Sequence, residues 1–233
     1  MPEKTPKISL IIPAYNEADA IGQVLAEIPE SVSEIIVVNN GSTDATPLAA
    51  AAAGATVLTE NQKGYGHACL KGLEYIAQQE EKPEIVVFLD GDYSDYPEDL
   101  TKIIAPILTE GYDMVIGARV KELRETGSMT PQQIFGNALA CWLMKIMFAA
   151  KYTDLGPFRA IRYASLLSLH MQDTTYGWTV EMQLKALRNH LKYKEVAVRY
   201  KKRIGISKVS GTVKGTIFAG VKILGWIFKY SFK

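Results

Sequence analysis

At 233 residues, 48% of them apolar and 22% charged, the chain has the size and composition to bury a sizeable core. A formal net charge of +1 gives it no global field toward nucleic acid, and residues Met1 to Lys7 lack the apolar run of a secretory leader. Its two cysteines, Cys69 and Cys141, exclude a disulfide framework and read as small core residues in a reducing compartment, so a cytoplasmic location is expected.

The first half alternates strand and helix signals. Ile8 to Ile12 is a buried-strand run stopped by Pro13, and Ala18 to Ile28 has helical periodicity with Ile21, Leu25 and Ile28 on one face. A second strand, Glu34 to Val38, ends at Asn39-Asn40-Gly41. The alanine-rich stretch that follows predicts a helix capped by Thr46, with Pro47 at its first position. A strand at Ala55 to Leu58, a helix at Gly66 to Gln79 and a strand at Glu84 to Leu89 come next. The last of these runs straight into Asp90-Gly91-Asp92. A helix over Asp99 to Glu110 and a strand over Met114 to Gly117 complete the series. Short, nearly continuous apolar strands separated by helices indicate an α/β fold whose mostly parallel central sheet is covered on both faces. In such sheets ligands bind beyond the carboxyl ends of the strands, where the candidate residues fall.

Beyond residue 120 the pattern is less regular. Lys121 to Thr130 reads as a charged loop. Ile134 to Ala150 is apolar on nearly all sides but shorter than the roughly 20 residues needed to span a bilayer, so a buried or interfacial helix is expected. Acidic residues concentrate between Glu74 and Asp113, whereas the chain from Lys185 onward is rich in Lys and Arg, which points to an anionic partner for the C-terminal part.

Two carboxylates at i and i+2, Asp90 and Asp92, suit a hard divalent ion that also binds phosphate oxygens, although Asp-Gly is equally a turn signal. Asn39, Asn40, Ser42 and Asp44 offer groups that can bond a base and ribose; turn and helix-capping chemistry explains them as well. Lys63-Gly64-Tyr65-Gly66 is either a close approach to a nucleoside or a plain turn.

In chain order, Pro13-Ala14-Tyr15-Asn16-Glu17, VVNNGSTD from Val37, FLDGDYSDYPEDL from Phe88 and IGAR from Ile116 resemble family 2 glycosyltransferases of the GT-A (Rossmann-like) fold. TDLGPFRAIR from Thr153, YGWTVEMQLKA from Tyr176 and YKKRIGISKVSG from Tyr200 are similar to the polyprenol-phosphate mannosyl- and glucosyltransferase branch. The resemblance implies a single domain over 1–233. Residues 1–120 would form its nucleotide-sugar half, 121–211 its acceptor half and 212–233 an amphipathic tail. It also implies an inverting transfer of a hexose from a UDP- or GDP-sugar, with Mg²⁺ or Mn²⁺ at Asp90 and Asp92. Pro13, Tyr15, Glu17, Asn39, Asn40, Ser42 and Lys63 would surround the nucleoside, and Asp90 with Gly91 the ribose and metal. Arg119 would reach phosphate or acceptor, while Arg203, Ser207 and Lys208 would bind anionic oxygens. Asn39-Asn40 departs from the family, which commonly has an acidic residue at this pair, so the nucleobase stays open.

A lipid-phosphate acceptor is already ionised and needs no general base. A soluble or glycan hydroxyl does need one, and Glu181 is then the candidate, unless it is a surface partner of Lys185. Trp178 is either a platform for the acceptor or a core residue. From Val213 to Lys233, Lys214, Lys222 and Lys229 share one helical sector opposite Ile217, Val221, Leu224, Ile227 and Phe228. This predicts a basic amphipathic helix resting on the cytoplasmic face of a membrane, or one docked on the domain or used in a homo-oligomer. Two rivals remain: a nucleotidyltransferase, disfavoured because Pro13 to Glu17 lacks Lys and Arg, and a non-catalytic nucleotide-sugar-binding scaffold.

Overall fold

The computed structural model describes residues 6–205 and 213–231, with the side chains of the last helix described from Phe218 onward. Five strands of the first half form as their apolar runs dictate: β1 (Ile8–Ala14), β2 (Glu34–Asn39), β3 (Thr56–Thr59), β4 (Ile85–Phe88) and β5 (Met114–Ala118). Between them lie α1 (Ala18–Ala26), α2 (Thr46–Ala52), α3 (Tyr65–Gln78) and α4 (Leu100–Thr109). Ala45, not Thr46, occupies the cap of α2, because the Thr46 hydroxyl is drawn to the Asp44 carboxylate and accepts from Glu17 N at 2.8 Å.

The second half supplies α5 (Pro131–Phe148), β6 (Arg159–Arg162), α6 (Tyr163–Ser168), α7 (Trp178–Arg188), β7 (Tyr193–Ala197) and α8 (Val213–Ser231). Helix α5 starts where its chemistry says it must: Thr130 and Gln133 form a reciprocal capping box and Pro131 enters the first turn. The loop before it is tied down, with Glu125 N donating to Tyr200 O and Tyr200 N to Leu123 O.

The strands form one seven-stranded sheet in the order β3-β2-β1-β4-β6-β5-β7. Only β6 runs against its neighbours, pairing antiparallel with β4 and β5. Alternate side chains feed two cores. Leu10, Ile12, Val37 and Val87 pack with α1, α2 and α4, while Ile11, Ile36, Val86 and Phe88 pack with α3, α5, α7 and α8. Each such buried aliphatic side chain contributes about 1.5–3 kcal/mol relative to exposure. Cys69 and Cys141 are free and buried in the second of these cores.

Candidate functional site

Reversal of β6 decides what reaches the site. The start of β6 lies beside the carboxyl end of β4, with Arg159 opposite Phe88. Residues 154–158 therefore join the loops that follow β1, β2, β4, β5 and β7 along one edge of the sheet. A cavity of about 330 Å³ opens there, lined by Pro13 at the end of β1, by Tyr15 and Glu17 after it, by Asn40 after β2, and by Asp90, Gly91 and Asp92 after β4. Lys63, Gly64 and Tyr65 at the start of α3, with Tyr176 and Arg203, close it.

The carboxylate pair forms its floor. Asp92 is fixed by Ser94, whose N–H donates to Asp92 Oδ1 at 2.9 Å and whose hydroxyl bonds the same oxygen. Asp90 is half-buried, and its Oδ1 is shielded from solvent with no hydrogen-bond partner in the protein. Burial, then repulsion from Asp92, pushes the Asp90 carboxyl up to about 7. Arg203 stands across the cavity from the pair, its Nη1 3.0 Å from Asp92 Oδ2 and its Nη2 2.6 Å from Glu17 Oε1. Backbone bonds hold it there: Ile204 N to Asp92 O at 3.0 Å and Lys201 N to Ser94 O at 2.8 Å. Ser207 and Lys208 of the same motif lie outside the described residues.

The asparagines expected to cradle a nucleoside are engaged elsewhere. Asn40 Nδ2 donates to Glu60 O and Gln62 O and its Oδ1 accepts from Gly64 N, so its amide holds the 60–64 loop. Asn39 Oδ1 accepts from Ser42 N, and Ser42 Oγ accepts from Asn16 N. Asn39 and Ser42 build the turn instead of facing the cavity; Asn40 faces it with its polar atoms already bonded. Tyr15 and Lys63 meet at the rim, the ammonium 5.2 Å from the ring centroid.

Arg119 lies on a second cavity, of about 410 Å³, with Lys121, Arg124, Ile134 and Asn137. Its Nε and Nη2 fork onto Asp154 at 2.8 and 2.6 Å. Burial works against both charges, yet each holds the other ionised: Asp154 stays below the ordinary carboxylate range and Arg119 above its own. Tyr200 packs against Arg119 at 5.1 Å and bridges the backbones of Asp95 and Arg124, so the Val198-to-Arg203 segment runs from this cavity to the first. Asp95 is buried with neither carboxylate oxygen hydrogen-bonded. Burial and the nearby Asp90 raise its carboxyl well above the usual range.

Glu181 changes role. It is fully buried, accepts from Gln172 N and Asp173 N and pairs with Lys185 at 2.7 Å, so it neither faces an acceptor as a base nor sits on the surface. Trp178 belongs to the core, edge-on to Phe88 at 5.8 Å. Helix α8 docks on the domain by Trp226 and Ile227, which are buried, and leaves Phe218, Val221 and Phe228 exposed. Sequence reasoning passed over Tyr176, Asp154 and Asp173 as site residues, and took Tyr65 only as part of the Lys63-to-Gly66 stretch. Tyr176 and Asp154 stand inside two of the motifs quoted above, and that was the available signal.

The sequence profile of Glycosyl transferase family 2 matches residues 9–174. An uncharacterised glycosyltransferase of Mycobacterium tuberculosis is 32% identical, covering 91% of this chain and 94% of its own. A dolichyl-phosphate hexose transferase of Haloferax volcanii is 29% identical over 87% of this chain and 86% of its own. Glucosyl-3-phosphoglycerate synthase of Mycobacterium tuberculosis, solved with Mn²⁺, UDP-glucose and phosphoglyceric acid, has the same fold. Its TM-score is 0.78 at 22% identity, covering 97% of this chain and 80% of that one.

Proposed function

This chain belongs to glycosyl transferase family 2, and we propose that it is an inverting hexosyltransferase moving a hexose from a UDP- or GDP-sugar to a polyprenyl phosphate at a membrane surface. The observation that carries this reading is the pairing of two cavities along one sheet edge, one floored by Asp90 and Asp92 and the other lined by Arg119. The first takes the nucleotide sugar and the second the acceptor phosphate. On this reading the chain acts as one transfer unit, with residues 1–120 supplying most of the donor site, Tyr176 and Arg203 of 121–211 closing it, Arg119 reaching the acceptor, and 212–233 facing the membrane.

A divalent ion fits the first cavity. Among the described residues no group of three or more His, Cys, Asp or Glu side chains converges as a metal cage. Two carboxylates, one with an unpartnered buried oxygen, are the sparse protein set that Mg²⁺ or Mn²⁺ uses when phosphates complete its shell. Asp90 and Asp92 would hold it; once bound it supplies electrostatic stabilisation to the departing diphosphate. Arg203, now neutralising Asp92 and Glu17, is placed to turn its planar fork to a diphosphate oxygen when a cation takes over at Asp92. A phosphate acceptor is ionised near neutral pH, so the reaction asks for no base, consistent with Glu181 being committed elsewhere.

A membrane site for the acceptor is supported by α5 and α8, which pack on one another. Phe135, Trp142 and Ile146 on α5 and Phe218 and Val221 on α8 are each more than half exposed. Neither helix has an Asp or Glu, and their charges are Lys145, Lys214, Lys222 and Lys229. Such a surface suits an anionic lipid headgroup layer. Ile134 and Ala138 of α5 also line the second cavity, which brings it close to the same surface. Among the described residues no helix is long and apolar enough to cross a membrane. The enzyme on this reading is peripheral, on the cytoplasmic face.

Isothermal titration with UDP and GDP, each with and without Mn²⁺, tests the donor site. Metal-dependent binding of one nucleotide, weakened in Asp92→Asn, supports transfer. No binding under any condition would favour a non-catalytic scaffold.

A further inference from the structure

The Gln172-to-Gly177 loop joins the C-terminal helix to the donor cavity. At one end, Trp226 Nε1 of α8 donates to Asp173 Oδ2 at 2.6 Å, and Lys222 Nζ lies 3.2 Å from the same oxygen. The other oxygen, Asp173 Oδ1, accepts from Thr175 N at 2.7 Å and Gly177 N at 3.0 Å, the two amides that bracket Tyr176. Tyr176 lines the donor cavity. Beyond it, the Thr175 and Thr174 carbonyls accept from Gly66 N at 3.3 Å and His67 N at 3.0 Å in the first turn of α3, whose Tyr65 lines the same cavity. Glu181 anchors the loop from below by accepting from Gln172 N and Asp173 N.

Contacts at both ends are close enough to demand glycine. A Cβ on Gly177 would lie 2.5 Å from Asp173 Oδ2 and from Trp226 Cδ1, and one on Gly64 would collide with Thr174 O. Burial alone would raise the Asp173 carboxyl, but Trp226, Thr175 and Lys222 together hold it below its ordinary value. Hydrogen bonds to an ionised, buried carboxylate are charge-assisted and stronger than neutral ones, so its partners are held firmly to one another.

We propose that Asp173 is a positioning residue through which α8 sets the Tyr176 wall of the donor cavity. The proposal rests on that cavity being a nucleotide-sugar site and deepens the reading: the helix offered to the membrane also shapes the pocket for the donor. A surface that reorients α8 thereby alters donor affinity.

Trp226→Phe removes the N–H that reaches Asp173 while keeping an aromatic ring; Lys222→Met removes the charge and serves where the first variant folds poorly. Ile107→Val is the control, since Ile107 is buried in the core on the other face of the sheet, away from α8 and Asp173. Titration with the nucleotide that the wild type binds should show affinity falling on the order of tenfold in Trp226→Phe. Ile107→Val should lower the melting temperature and leave affinity within about twofold. In a Tyr176→Ala background the Trp226→Phe effect should shrink below about twofold, the non-additivity expected of coupled residues. Equal losses in both backgrounds would overturn the proposal. Amide hydrogen exchange reads the same link without nucleotide: Trp226→Phe should speed exchange at Thr175, Gly177, Gly66 and His67, and Ile107→Val should not. Unchanged exchange at Gly66 and His67 would also overturn it. A wild type that binds no nucleotide would remove the donor-site reading and leave the exchange result to decide the link.

Discussion

From β1 to β5 the chain alternates strand and helix, and nearly every side chain at the donor cavity follows a strand end. From α5 onward the residues that shape the site are positioned by buried charge: Asp154 against Arg119, Glu181 against Lys185 and two loop amides, Asp173 against Trp226 and Lys222. Fully buried Arg159 belongs to the same group; its guanidinium reaches the carbonyls of Thr179, Leu155 and Gly156. The first half thus takes its geometry from hydrophobic strands and leaves one Asp90 oxygen without a protein partner. The second half uses its charges to hold loops that no regular pairing supports, so those charges matter first for stability.

Four substitutions sharpen or break that contrast. Asp92→Asn, on the donor side, should lower transfer by about 10²–10³-fold. Asparagine keeps an acceptor for Ser94, Arg203 keeps Glu17, and the repulsion of Asp90 is relieved, so stability should stay within about 1 kcal/mol of wild type, read by urea unfolding. A large stability loss would erase the distinction between the halves. Asp154→Asn leaves Arg119 charged and buried, and should cost about 3–5 kcal/mol. Since Asp154 titrates below the ordinary range when folded, its contribution is present above the unfolded value of about 3.9. It is lost as pH falls through the folded value. Wild-type and variant melting temperatures should therefore converge on acidification below about pH 4.

Glu181→Gln keeps one acceptor oxygen for the loop amides and removes the charged partner of Lys185, at a cost of about 1–3 kcal/mol. The pH profile of turnover should keep its shape, whereas a base would take an acidic limb with it. Smallest in the unfolding experiment is Phe135→Glu, on an exposed face, within about 0.5 kcal/mol. Its effect belongs to flotation with anionic vesicles, where the bound fraction should fall. Retained flotation, together with a shift to a larger species on sizing wild type alone, would assign the α5–α8 face to a second copy of the chain.

The donor half was legible because its strands are continuous apolar runs and its polar motifs sit where those runs stop. Ile85–Phe88 leading into Asp90 needs no tertiary knowledge to place a carboxylate at a sheet edge. β6 was not legible: its four residues Arg-Ala-Ile-Arg carry a charge at each end, and only pairing with β4 and β5 makes them a strand. Its reversed direction, which brings Asp154 to Arg119, is a property of the sheet and of no local pattern. Edge strand β7 sets Lys194 and Glu195 side by side between Tyr193 and Val196, so it shows neither a continuous apolar run nor a clean alternation. At the site, side-chain type told less than commitment. Asn39 and Asn40 look like nucleoside ligands until their bonds to the turn and the 60–64 loop are counted. Glu181 looks like a base until Gln172 N, Asp173 N and Lys185 claim its oxygens.

The central claim is transfer to a lipid phosphate, and the direct measurement is extraction of product into an organic phase. Wild type and Asp92→Asn would each be incubated with Mn²⁺, hexose-labelled UDP- or GDP-sugar, and anionic vesicles with or without undecaprenyl phosphate. Label entering the organic phase only when the lipid phosphate is present, with the wild type and not the variant, is the predicted result. Metal-dependent nucleotide binding with no organic-phase label from any donor would contradict it and place the acceptor outside the polyprenyl phosphates.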